Sequence, residues 1–368
     1  MQHLGDPNSL LQQRFVLVMM MKGLGLICIS VLALVNGGSG FTAPLRQRSL
    51  VTEKVRTFDK MFTSNGRVET SLQVVTIPTE VWTSFLPPFL GFYKSEYGVS
   101  YAYGFATAFT AISVIRRCSS SINPLMSLHA AALIFYGLRL NLFLFVRTCL
   151  SSRMKQLQQN IEERALKRGN RFKTRAPFIL SCGLLYYGLV APLLFTSKLT
   201  AEIAIPSWAN SLLKLLIGVQ WFGFGIAAIG DLTKTYVKQS EKDENFLVTS
   251  GIFSFLRHPN YSGEIIGWTA NNLCGIVAAC FLLKNSITVS LLSDFAAMTL
   301  GWVGIVGVLL RATTNLEARQ KKEYGSNEKY TKWVESSWGG WVLPAKEEPV
   351  DEPQIEVTNV QEEFGSGI

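Results

Sequence analysis

Between Gly251 and Glu264 the chain gathers residue types that do chemistry: Arg257, His258, Pro259, Asn260, Tyr261 and Glu264 fall within eight consecutive positions. Arg257 and His258 can bond phosphate oxygens. Pro259 stiffens the backbone, and Asn260 and Tyr261 add hydrogen bonds and an aromatic face. The segment lies where a polar stretch enters an apolar run, so Glu264 is drawn about one turn into that run. An ionisable side chain there is expensive and functional by default. A basic cap on a membrane helix would account for Arg257 but leaves His258, Asn260 and Glu264 without a reason. Asn260-Tyr261-Ser262 also forms a glycosylation sequon, pressed against the membrane where modification is hard.

A second candidate is Arg139, which lies inside an apolar run beside Tyr136 and Asn141. It can snorkel to the interface or line a polar cavity, and the cavity reading makes Tyr136 and Arg139 substrate-facing. The histidines are His3, His129 and His258, too few and too scattered for a multi-histidine metal centre. His129 reads as a packed or cavity-lining residue. The six cysteines form no CxxC pair and lie mostly in or beside apolar runs, against both a zinc site and a disulfide framework. Gly223-Phe224-Gly225 lies within an apolar run and lacks the strand–turn–helix setting of a dinucleotide fingerprint, and there is no P-loop.

These residues must be positioned by helices. Of 368 residues 48% are hydrophobic and 17% charged, and the apolar residues are clustered in long blocks. Blocks that approach the ~20 residues of a membrane-crossing helix lie near 81–93 (broken by Pro87-Pro88), 99–115, 125–146, 177–196, 208–229, 265–283 and 291–310. The expected fold is all-α, a multi-spanning helical membrane protein with about six or seven transmembrane helices. A polar segment over 151–175, helical around 154–166, separates two of them, and a polar stretch runs from Asp231 to Pro259. Gly301, Gly304 and Gly307 mark a face suited to close helix packing. The net charge of +9 is carried largely by Lys and Arg between apolar blocks, as on the positive side of a membrane protein. No basic stripe interleaved with aromatics suggests nucleic acid.

Residues 1–40 read as a signal-peptide region, with Lys22 ahead of the apolar run 24–35 and a small-residue exit. Residues 41–75 begin Phe41-Thr42-Ala43-Pro44 and continue basic and hydroxylated, similar to the transit region of proteins sent to complex plastids. The expected location is therefore a plastid membrane, or the endoplasmic reticulum if the signal acts alone. Residues 76–344 form the transmembrane domain, and 345–368 an acidic, disordered tail.

The string Arg257-His258-Pro259-Asn260-Tyr261-x-Gly263-Glu264 resembles the steroid 5-alpha-reductase C-terminal domain family. Further matches are Asp231, Lys234 and Lys238, then Tyr136-Gly137-Leu138-Arg139-Leu140, then Leu316-Glu317, Glu323-Tyr324-Gly325, Tyr330 and 341–344, so the likeness covers about 125–344. It implies NADPH held by polar loops and helix ends, with Asp231, Lys234, Arg257, His258, Asn260, Tyr261, Glu264, Glu317, Tyr324 and Tyr330 around it. The implied reaction is hydride transfer to an electron-poor carbon–carbon double bond of a lipid or steroid-like substrate, with Tyr261 and Glu264 as catalytic candidates. Ser262 stands where the family has an aromatic residue. The family's substrate-contacting residues lie in N-terminal helices that find no match here.

Two rivals remain open. Membrane methyltransferases that use S-adenosylmethionine share the Arg-His-Pro lead and the Glu…Tyr-Gly…Tyr tail. They usually lack Glu after the motif's Gly and carry paired acids where this chain has Glu317-Ala318. A non-catalytic lipid-binding membrane protein would bind neither cofactor.

Overall fold

The computed structural model describes residues 77–119, 123–167, 169, 171–199, 205–240 and 246–343. The expected presequence and the acidic tail lie outside the described residues. Among the described residues the chain is helical without a strand; its one extended pairing is an isolated bridge between Leu256 and Trp338.

The helices are α1 (Thr79–Phe85), α2 (Leu90–Tyr93), α3 (Ser100–Arg117), α4 (Pro124–Leu150), α5 (Ser152–Lys167), α6 (Arg171–Lys198), α7 (Ser207–Ser240), α8 (Pro259–Asn285), α9 (Val289–Tyr324) and α10 (Glu328–Ser336). Local chemistry sets several starts. Asn123 caps α4, accepting a hydrogen bond from the Met126 amide at 2.7 Å, with Pro124 at the first helical position. Thr288 caps α9 through the Leu291 amide at 3.2 Å.

Among the described residues six stretches are long and apolar enough to cross a membrane: Ser95–Arg117, Pro124–Cys149, Phe172–Lys198, Ser207–Lys238, Pro259–Lys284 and Val289–Tyr324. The protein is an integral membrane protein of the expected all-α class. The block at 81–93 is no span. Pro87 and Pro88 form a 3-10 turn that splits it into α1 and α2, because proline cannot donate to the helix ladder. The polar stretch after Asp231 also departs from expectation, since α7 continues through it to Ser240. Likewise α9 carries Glu317 and Tyr324 on its polar extension. The residues expected on loops and helix ends are thus partly held by rigid helix.

The spans alternate in direction, which brings the start of α3, the end of α4, the start of α6, the end of α7, the start of α8 and the end of α9 to one end of the bundle. The basic helix α5 lies at that same end, where Gln158 donates to Glu96 at 3.0 Å and to Thr148 at 3.1 Å. Two glycine contacts draw helices together. A Cβ on Gly104 of α3 would lie 2.6 Å from the Gly137 carbonyl of α4, and one on Gly223 of α7 would lie 2.5 Å from the Gly267 amide of α8. Any side chain at these positions would push the helices apart. The expected packing face of α9 holds in part: Gly301 meets Gly188 of α6 and Gly304 meets Leu185, whereas Gly307 faces open space.

Candidate functional site

Three ionisable residues from three spans meet in the bundle interior. Arg139 of α4 donates from Nη1 to Asp231 Oδ2 of α7 at 2.5 Å and from Nη2 to Glu264 Oε1 of α8 at 3.3 Å. The side chains are 1%, 5% and 0% exposed, so the charges have almost no water to screen them. The Arg139 guanidinium also lies over the Tyr136 ring, 4.9 Å from its centroid. Of its two readings, Arg139 therefore takes the interior one.

Toward the bundle centre this trio meets an aromatic cage. Tyr136 contacts Phe224 at 4.5 Å and Trp268 at 4.9 Å between centroids. Tyr103 of α3 joins it edge-on at 5.5 Å from Tyr136 and lies 6.0 Å from Trp268. The close approach at Gly104 and Gly137 is what lets α3 deliver this ring. Several polar atoms here are buried and, among the described residues, have no hydrogen-bond partner: Tyr103 Oη, Tyr136 Oη, Trp268 Nε1, Glu264 Oε2, Arg139 Nε and Tyr261 Oη. Leaving a buried polar group unpaired costs about 1–3 kcal/mol, so a ligand able to pair with these atoms would be favoured here.

A cleft lies between the ends of α7, α8 and α9. Lys234, Lys238, Arg257, His258, Asn260, Arg319, Glu323 and Tyr324 line it, with Phe246 and Phe253 as apolar walls. The charge of Arg147 on α4 acts on Lys234 and on Tyr261. The field in the cleft is positive, suited to an anion.

The chain's C-terminal segment closes one side. Arg257 donates from Nε to Glu317 Oε1 at 2.8 Å and from Nη1 to the carbonyls of Val334 at 2.9 Å and Ser337 at 2.5 Å. Its amide donates to the Trp338 carbonyl at 2.9 Å. Trp333 Nε1 donates to the Phe253 carbonyl at 2.7 Å. His258 Nε2 lies 2.6 Å from the same Glu317 oxygen. Burial pushes the His258 pKa down, against the opposing pull of Glu317. As a neutral ring it donates Nε2–H to that carboxylate. Burial raises the Tyr330 phenol.

The structure sorts the sequence-derived residues into two neighbouring groups. Lys234, Arg257, His258, Asn260 and Tyr324 line the cleft, and Glu317 holds Arg257 and His258 at its edge. Asp231, Glu264, Arg139 and Tyr136 lie deeper, in the trio and cage. Tyr261 is buried with its ring 6.3 Å from His258. Tyr330 is not on the cleft lining; it packs between Tyr324 at 6.2 Å and Trp333 at 6.1 Å. Arg257 borders the cleft, but much of its donor set is already spent on the C-terminal segment. His129 is packed elsewhere in the interior, bonded to Thr196 Oγ1 at 2.9 Å and Asn271 Oδ1 at 2.7 Å.

Residues missed from sequence are Tyr103, Phe224, Trp268 and Arg319. Arg319 alone carried a signal: it follows Glu317 by two residues on a helix that has just left its apolar stretch. A family model described as a protein of unknown function (DUF1295) matches residues 94–337, which spans α3 to α10 and the whole site. No curated protein and no solved structure matches the chain.

Proposed function

The chain belongs to the DUF1295 family, and we propose that it is a membrane-embedded, NADPH-dependent reductase of an activated carbon–carbon double bond in a lipid or steroid-like substrate. The observation that carries this reading is a cationic cleft whose lining residues Lys234 and Asn260 stand on the same two helices as Asp231 and Glu264 of the buried trio. A polyanionic cofactor with an uncharged reactive end fits that gradient. Lys234, Lys238 and Arg319 suit its phosphates, while the unpaired Glu264 Oε2 and Tyr136 Oη suit an amide and an acceptor group at the inner end. S-adenosylmethionine carries a positive sulfonium and suits a cation-lined cleft less well. The motif's likeness to the steroid 5-alpha-reductase C-terminal domain supports the same choice.

When bound, NADPH supplies a hydride. The chain's own residues do the rest. The cleft cations would hold the cofactor's phosphates, and the Arg139 trio offers fixed charges that need no reorganisation. Tyr136, Phe224 and Trp268 exclude water from an apolar substrate. The presequence and the basic segment at the cleft end suit a plastid membrane with the cleft toward the stroma.

The test is parallel titration of the detergent-purified protein with NADPH, NADH and S-adenosylmethionine. NADPH is expected to bind selectively. Lys234→Met and Arg319→Met should each raise its Kd about 10–100-fold, the loss of one charge-assisted contact of about 1.5–3 kcal/mol. Binding of S-adenosylmethionine alone would make the site a methyl-transfer centre, and binding of none would favour a lipid-binding protein.

A further inference from the structure

We propose that residues 338–343 form a bilayer-interface anchor, which holds the cleft-closing C-terminal segment against the membrane surface; the inference does not depend on what the cleft binds. Past its contacts with Arg257 that segment turns an apolar face outward. Trp338, Trp341, Val342 and Leu343, with Phe255 beside them, are 43–78% exposed. Backbone and rings join these side chains into one patch. The Trp338 amide donates to the Phe255 carbonyl at 2.9 Å, and the two indole rings meet edge-on at 4.9 Å between centroids. A contiguous apolar patch of this kind marks a surface that something covers.

The position of the patch says what covers it. Phe255 stands four residues ahead of Pro259, where the α8 span begins. At the other edge the Leu343 amide donates to Thr314 Oγ1 of α9 at 2.8 Å. Thr314 comes three residues after Arg311, the first charge beyond the apolar run of that span. It also follows Val303 by eleven residues and Leu300 by fourteen, about three and four helical turns. Thr314 therefore continues the face on which both are exposed, and in a span that face meets lipid. The patch is level with two span ends, at the depth where tryptophan concentrates in membrane proteins. Helix α10, just before it, shows the other side of the boundary. Its inner residues Tyr330 and Trp333 are buried, whereas Glu328, Lys329, Lys332 and Glu335 are exposed. The outer surface thus changes from charged to apolar between Ser336 and Trp338.

Anchor and cleft share one stretch of backbone. The Ser337 and Trp338 carbonyls accept from Arg257, and Gly339 lies against its guanidinium. Gly340 has φ +78°, and a Cβ there would lie 2.6 Å from Ser262 Oγ. This left-handed turn carries the segment over the start of α8, and the small Ser262 side chain leaves room for it. An anchor that holds 338–343 in the membrane surface therefore also keeps 334–338 on the cleft wall, so closure of that wall depends on the bilayer.

The experiment places the full chain in phosphatidylcholine nanodiscs, with lipid that is plain, brominated near the headgroup or brominated near the chain end. The emission of the two tryptophans is taken as the difference between wild type and the double variant Trp338→Phe, Trp341→Phe. It is expected to be quenched most by the shallow bromines, and less by the deep bromines or by aqueous iodide. The triple variant Trp341→Ser, Val342→Ser, Leu343→Ser removes the apolar surface without touching the cleft. In the same discs it should be cut within 334–338 about tenfold faster than wild type, because the segment opens more often. Quenching chiefly by iodide would put the patch in water and overturn the proposal, as would quenching chiefly by the deep bromines. Protection from every quencher would mean that protein, a second copy included, covers the patch, and equal cleavage rates would remove the link to the cleft; either result overturns it too. No cofactor enters these measurements, so their outcome is separate from that of the reductase reading.

Discussion

Replacing Arg139 by methionine removes the only guanidinium between Asp231 and Glu264 and leaves two carboxylates in the bundle interior. The side chains involved are between 0% and 5% exposed, so no discount for solvent screening applies. Deleting one partner of a buried pair costs about 3–5 kcal/mol, because the remaining charge is left uncompensated. Domains of 150–250 residues lose roughly 2–4 °C of midpoint per kcal/mol, so a fall of about 6–20 °C is expected in a detergent thermal-shift assay. The triple variant Arg139→Met, Asp231→Asn, Glu264→Gln removes the stranded charges as well and should recover most of that loss. NADPH binding should stay abolished in both. A midpoint change below about 3 °C in Arg139→Met, or no recovery in the triple variant, would refute the view that the trio is held together by charge.

Further outcomes can be measured on the same preparation. His258 has a pKa held below its ordinary 6.5 by burial. Its contribution to stability is therefore full above pH 6.5 and lost as pH falls through the lower folded value, and the midpoint should drop below pH 6.5 less steeply in His258→Gln. Gly223→Val should cost about 1–3 kcal/mol through overpacking against the Gly267 amide, whereas Gly307→Val, with nothing within 4 Å, should leave the midpoint unchanged. Arg257→Ala should weaken NADPH binding and also loosen the segment 334–338, read as faster limited proteolysis there. Cys274→Ala, deep in the core, should do little to cofactor affinity.

The outline of the fold was legible because hydropathy reports membrane spans directly, and the Arg257–Glu264 string was legible because charged residues in that setting demand a reason. Hydropathy failed at the helix ends. It stops where charge begins, but backbone hydrogen bonding carries α7 on past Asp231 and α9 on to Tyr324. Tyr103 and Trp268 were illegible for a different reason. An aromatic residue in an apolar helix looks the same whether it packs in the core or lines a site, and the partners that separate the two lie far away in sequence. Arg139 was ambiguous until Asp231 and Glu264 were placed beside it, 92 and 125 residues downstream.

That sequence separation sets an order of events during membrane insertion. Arg139 enters the bilayer on α4 as a lone cation, and a central arginine opposes insertion by about 2.5–3.5 kcal/mol. The long apolar run around it must carry that burden unaided. Its first counter-charge lies 92 residues further along the chain, and the second only on α8. Until those helices arrive, α4 carries a charge that a protein or lipid partner would have to shield.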